Sequence, residues 1–163
     1  MRQLTTNPSF QPGFTLIELM VVVAIAAILA AKAIPDLASF LANSRLREGA
    51  STLQSTAALA RNEAIKLNSS VSLNVSGSTV TIIKESTNTV LRTVMLPNGV
   101  QSAATKATFN SSGQLAPFGT VLAIGLSIPS KTCSSDLRCP ALLIEAGGSA
   151  SVCARGSSQG ACS

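Results

Sequence analysis

The sequence predicts an α+β protein in which one long N-terminal helix packs on an antiparallel β-sheet head. Three observations carry that expectation. Apolar residues run from Leu16 to Ile34, broken only by Glu18 and Lys32. A helical stripe at spacings of three and four then continues to Leu67, and beyond Asn68 the apolar residues alternate with period two between turn-forming residues. A single helix followed only by strands is the pattern of an α+β layer arrangement.

The helix begins with Gly13-Phe14-Thr15-Leu16-Ile17-Glu18-Leu19-Met20 and the apolar run Val21 to Ala31. At about 1.5 Å of rise per residue, Leu16 to Ile34 is just long enough to cross a hydrocarbon core of about 30 Å. Lys32 near its far end can snorkel to the interface. Glu18 is the anomaly, because a carboxylate at the centre of a bilayer helix costs about 2.5–3.5 kcal/mol on insertion scales and marks a functional position by default. A cleaved secretory signal with Ala31-Lys32-Ala33 as its processing site is the competing reading. It is disfavoured by the lone upstream cation, Arg2, and by the acid at position 18. A plain membrane anchor leaves Gly13-Phe14 and Glu18 without a reason.

Pro35 comes next, and a kink or loosened turn is expected over Ala31 to Pro35, because proline removes one helix hydrogen bond and crowds the preceding turn. Leu46, Ala50, Leu53, Ala57, Ala60, Ala64 and Leu67 then line one face. Arg45, Arg47, Glu48, Gln54, Arg61, Asn62 and Lys66 lie on the other. Such a stripe must lie on something, and its four alanines permit close approach, which suits a sheet cupped against the helix rather than a solvated stalk. Asn68-Ser69-Ser70 ends the run.

Val71, Leu73 and Val75 alternate with polar residues, and Gly77-Ser78 turns the chain into Thr79 to Ile83, which predicts a hairpin. A third strand is expected over Val90 to Leu96, ending at Pro97-Asn98-Gly99. A short one follows over Ala107 to Phe109, before the turn Asn110-Ser111-Ser112-Gly113. Thr120 to Ile128, Ala141 to Glu145 and Ser149 to Ala154 complete the set, with Gly147-Gly148 turning between the last two. The open sheet leaves edge strands available to another subunit.

Composition narrows the function. The chain of 163 residues contains no His, Trp or Tyr, so His-dependent triads and the usual catalytic zinc sites have no base or ligand. Gly147-Gly148 is too short for a phosphate-binding loop. No catalytic residue, metal site or cofactor is expected, and the protein reads as a non-enzyme. Of its net charge of +5, the excess lies from Leu41 onward, where ten Lys or Arg face five Asp or Glu. Those charges are scattered, which fits a moderately basic surface better than a DNA-binding patch.

Cys133, Cys139, Cys153 and Cys162 all fall near the end of the chain. An even number in a small exported domain predicts disulfides. Zinc bound by four thiolates is the rival, disfavoured because no Cys-x-x-Cys pair occurs. Of three connectivities, Cys133 with Cys139 and Cys153 with Cys162 is preferred, because each pair closes a short loop beside a strand. Each closure is worth about 2–3 kcal/mol in the chain-entropy account.

The stretch Gly13 to Met20 with its apolar helix resembles the class III signal of type IV prepilins and type II secretion pseudopilins. Asn43-Ser44-Arg45-Leu46-Arg47, Ala60-Arg61-Asn62-Glu63-Ala64-Ile65 and Phe109-Asn110-Ser111-Ser112-Gly113 are similar to one branch, that of the type II secretion H pseudopilin and the FimT and FimU minor pilins. The resemblance implies cleavage by a prepilin peptidase between Gly13 and Phe14 and methylation of the new Phe14 amine. It also implies that Glu18 docks on the N-terminal amine of a neighbouring subunit. The expected organisation is a leader over residues 1–13, a transmembrane and filament-core helix over 14–35, an amphipathic helix over 36–68, and a β-sheet head with a cysteine-rich end over 69–163.

The partners so implied are other pilins, the peptidase, the inner-membrane assembly platform and the membrane itself, with the head in the periplasm before assembly. A minor subunit at the filament tip or initiation complex is expected, of a type IV pilus more than of a secretion machine. Some pilins of this branch bind DNA through Gly-Arg-x-Arg. The matching stretch here, Gly148-Ser149-Ala150-Ser151, has serine at both arginine positions, leaving Arg138 and Arg155 as the candidate substitutes.

Overall fold

The computed structural model describes residues 13–154, the side chains of residues 33–36 and 154 excepted. It contains one helix, α1 (Leu16–Lys66), and eight strands: β1 (Val71–Gly77), β2 (Thr79–Lys84), β3 (Thr89–Met95), β4 (Gln101–Phe109), β5 (Leu115–Ala116), β6 (Leu122–Ser127), β7 (Pro140–Ile144) and β8 (Ala150–Ala154). Two compact units meet after Leu37, and α1 contributes to both. The helical assignment passes through Pro35. The side chains around the expected kink lie outside the described residues.

In the first unit, every described side chain from Gly13 to Lys32 is exposed. This part of α1 is long and apolar enough to cross a membrane. An apolar surface of that extent is not stable facing water and requires lipid or protein around it.

In the second unit the amphipathic part of α1 buries the predicted stripe. Leu46, Ala50, Leu53, Ala57, Ala60 and Ala64 are each at most 2% exposed. The buried face starts one turn earlier, at Ala42, and also takes in Thr56. Leu67 departs from the expectation: it is 36% exposed, because the helix has ended at Lys66 and the chain has turned away. Asn68 adopts φ 43°. The Asn68 N–H donates to Ile65 O, and the Ser69 N–H to Ala64 O. That pair of bonds is a Schellman cap, with asparagine at the left-handed position that its short side chain tolerates.

The strands form one antiparallel sheet in the order β3-β2-β1-β4-β6-β7-β8, with β5 paired on β4. Register follows the buried alternation. Leu73 stands between Ile82 and Ala107, Val71 opposite Phe109, and Val75 opposite Val80. These residues join Ile124, Leu126, Leu142, Ile144 and the helix stripe in one core. Close approach of helix to head is visible at Gly49, where an added Cβ would stand 3.0 Å from Val100 Cγ1.

Two strands differ from the sequence expectation. β4 spans nine residues rather than the three apolar ones at its end, because its polar first half is held by ladder hydrogen bonds to β1 and β6 and not by side-chain burial. β5 has only two residues, too few to show alternation, yet Leu115 is buried opposite Phe109. β3 and β8 are the sheet edges. Leu91 of β3 is the extra residue of a bulge between Ile82 and Ile83, a device that blunts an exposed edge.

Candidate functional site

Two places concentrate the residues that the sequence singles out. The first is the start of α1. Gly13, Phe14 and Thr15 precede the helix, with Phe14 86% exposed. The Thr15 hydroxyl accepts the Glu18 N–H at 3.3 Å, and Thr15 O accepts the Leu19 N–H at 3.2 Å. Thr15 is therefore the N-cap, and Thr15-Leu16-Ile17-Glu18 has the spacing of a capping box. Glu18 falls in the first turn, where the helix dipole favours an anion. That is a local reason for an acid at this position. It does not neutralise the carboxylate, which has no hydrogen-bond or ion-pair partner among the described residues.

The second place is the end of the amphipathic helix, where two of the family-like stretches, Ala60–Ile65 and Phe109–Gly113, converge. The Asn110–Gly113 turn is built by Asn110, whose Oδ1 accepts the N–H groups of Ser112 and Gln114 at 3.0 and 2.9 Å. The turn between β7 and β8 closes through Gly148 N–H to Glu145 O at 2.8 Å. The two turns pack face to face: a Cβ on Gly148 would overlap the Gly113 carbonyl oxygen, and one on Gly113 would stand 2.7 Å from Ile65 Cδ1. Both glycines have positive φ, +75° and +80°. Arg61 is wedged against this junction with its Nε buried and unpartnered. The sequence places Arg61 on the solvated face, and the structure corrects this, because the two turns rise beside the helix and cover its stem.

The other predicted residues are dispersed. Cys133 and Cys139 are bonded to each other and close a loop of sequence separation 6. Asn43 on α1 clamps that loop. Its Nδ2 donates to Asp136 O at 2.6 Å, and its Oδ1 accepts the Arg138 N–H at 3.0 Å. Gln54, whose Nε2 donates to Ala150 O at 3.0 Å, was not distinguishable in the sequence from the other polar residues on the outer face, and Asn43 stood out only as the first residue of a family-like stretch. Cys153 is disulfide-bonded, while Cys162, its expected partner, lies outside the described residues, as does Arg155.

Arg138 lines a groove of about 180 Å³ with Arg47, Val152 and Cys153. Val152 directly follows Gly148-Ser149-Ala150-Ser151, in which the Ser149 hydroxyl donates to the Glu145 carboxylate at 2.7 Å. Among the described residues no cluster could hold a metal ion.

Comparison with known proteins follows the same division. The type II transport protein GspH family model matches residues 49–159. The chain belongs to the GspH family. The prokaryotic N-terminal methylation motif matches residues 9–31. Type IV major fimbrial proteins FimA of Dichelobacter nodosus are 60% identical over 43 residues. The match spans only 26% of this chain and 27% of those relatives. Two crystal forms of the type IV minor pilin FimU of Pseudomonas aeruginosa share the fold, at TM-scores of 0.52 and 0.55 and identities of 19% and 20%. They cover 68% and 72% of this chain and 93% of FimU. This GspH-family chain thus carries the N-terminal methylation motif, an apolar helix and a head with the fold seen in FimU.

Proposed function

We propose that the protein is a non-enzymatic filament subunit, a minor pilin of a type IV pilus, stored in the bacterial inner membrane and assembled with other pilins. Residues 1–13 are the leader that a prepilin peptidase removes, and Phe14 becomes the methylated N-terminus. Residues 14–35 span the membrane and then enter the filament core. Residues 36–68 and the sheet form the head, which faces the periplasm before assembly and the filament surface afterwards, at the tip or in the initiation complex. A pilus is favoured over a secretion pseudopilus because a disulfide-stapled loop suits a head displayed outside the cell.

The observation that carries this reading is Glu18: a carboxylate without a partner among the described residues, on a helix whose apolar residues from Leu16 to Ala31 are exposed. An acid there is costly in lipid unless a cation meets it, and the amine freed by cleavage at Phe14 of a neighbouring subunit is such a cation. Mass spectrometry of protein from the membrane fraction should find N-methylated Phe14 as the first residue. Glu18→Ala should stay in the membrane fraction and fall at least tenfold in sheared filaments. Normal filament incorporation of that variant would overturn the docking role.

A further inference from the structure

Arg61 Nε is one of three buried side-chain atoms without a hydrogen-bond partner among the described residues, the others being Ser72 Oγ and Asn74 Oδ1, and it is the one that belongs to a cation. A residue whose only task is to cover the Gly113–Gly148 junction does not need a charge, and leaving a guanidinium N–H buried without an acceptor is unfavourable. Methyl groups placed on Gly113 and Gly148 would stand 3.1 and 3.2 Å from Arg61 Nε, so the two turns fix the side chain from one side. Its other side lines a cavity of about 360 Å³ between α1 and the start of β8.

The rest of that cavity mixes polar and apolar groups, with Ala58 among its lining residues. Gln54 and Asn62 contribute amides, Ser55 a hydroxyl, and Gly148 and Ala150 the opposite wall. Two of these groups are already committed to the protein, Gln54 Nε2 to Ala150 O and Ser55 Oγ to Thr52 O. Arg61 itself forms no ion pair or hydrogen bond among the described residues. The nearby Glu145 carboxylate is held by Ser149 at 2.7 Å. Among the described residues no acid lines the pocket.

We propose that this pocket is a carboxylate-binding site, filled in the assembled state by an acidic side chain of a neighbouring subunit. A planar guanidinium backed on one side by the two turns, beside the Asn62 amide, matches one carboxylate in bidentate fashion. The identity of the occupant follows from charge count. Binding a nucleic-acid backbone takes several cations along a track, and among the described residues this cavity has one. The assignment to a neighbouring subunit rests on the filament reading above, whereas the carboxylate site itself does not.

The test uses the full ¹⁵N-labelled chain in non-ionic detergent micelles and follows the arginine Nε–Hε resonance of Arg61, assigned by its loss in Arg61→Lys. Titration with glutamate blocked as the N-acetyl α-amide should shift that resonance saturably, with a midpoint on the order of 30 mM for one charge-assisted pair. Blocked glutamine should leave it in place. Asn62→Asp, which puts a competing carboxylate at the rim on an exposed position, should weaken the titration at least fivefold. Absence of a saturable shift, or an equal shift with blocked glutamine, would overturn the site. Saturation by inorganic phosphate or by a duplex oligonucleotide at lower concentration than by carboxylate would overturn its ligand class.

In cells, Asn62→Asp should reduce filament incorporation severalfold while cleavage at Phe14 is unchanged, and unchanged incorporation would overturn the neighbouring-subunit assignment. Should the wild-type chain itself be absent from filaments, the filament reading and this assignment fall together, and the micelle titration still decides the carboxylate site.

Discussion

At Gly148 a single hydrogen in place of a methyl group decides whether two turns can meet. Its φ of +80° already disfavours any L side chain, and the Gly113 carbonyl occupies the space a Cβ would need. The obstacle is backbone rather than a flexible side chain, so little can give way. Gly148→Ala should lower stability by about 2–4 kcal/mol, seen as a lower urea midpoint at unchanged denaturant slope. Electrostatics at single residues is weaker. The buried Ser72 hydroxyl, which completes no well-aligned hydrogen bond, and the Lys106 ammonium at 3.0 Å hold the Glu85 carboxyl below its ordinary 4.5. A carboxyl lowered by folding adds stability that is present above pH 4.5 and lost as the pH falls through the lowered value. Both partners are substantially exposed, so the contribution is below about 1 kcal/mol. Glu85→Gln should therefore be slightly less stable than the parent at pH 7, and the difference should narrow as the pH is lowered below 4.5.

The amphipathic part of α1 shows why its buried residues are small. Leu46 and Leu53 anchor the stripe and are fully buried, which is worth about 1.5–3 kcal/mol each relative to exposure. Between and after them, Ala50, Ala57, Ala60 and Ala64 keep the helix backbone close to the sheet. A larger apolar residue there adds hydrophobic surface but has no room. Ala57→Leu should destabilise the head by about 1–3 kcal/mol, whereas Ala58→Leu on the exposed side should change stability by no more than about 0.5 kcal/mol. Thermal unfolding of the pair separates packing from helix propensity, since both put the same residue in the same helix.

On the scale of the whole chain, the two units need different surroundings. The head from Ala38 onward encloses its own core of α1, β1, β2, β4, β6 and β7 residues. The described residues from Gly13 to Lys32 bury nothing. A protein starting at Ala38 should accordingly be soluble without detergent and unfold in one cooperative transition, monitored by circular dichroism and size-exclusion chromatography. The full chain should require detergent or lipid. Loss of cooperative unfolding in the shortened chain would show that the apolar unit contributes to the head's core.

The layer order, the amphipathic stripe and most strands were legible because each rests on a local period. Six of seven stripe residues are buried as their spacing requires, and Leu67 is not, because a cap residue two positions from the helix end redirects the chain. β4 was underestimated because backbone pairing, which leaves no trace in side-chain alternation, holds its polar half. The Gly13–Glu18 motif was equally plain, being contiguous and chemically odd. What only the tertiary structure decided is where separate stretches meet. It joined Arg61, Gly113 and Gly148 at one junction and pinned the Cys133–Cys139 loop to Asn43. Local periodicity is written in neighbouring residues, whereas these meetings depend on sheet register and loop closure across 50 to 100 positions, which no local pattern encodes.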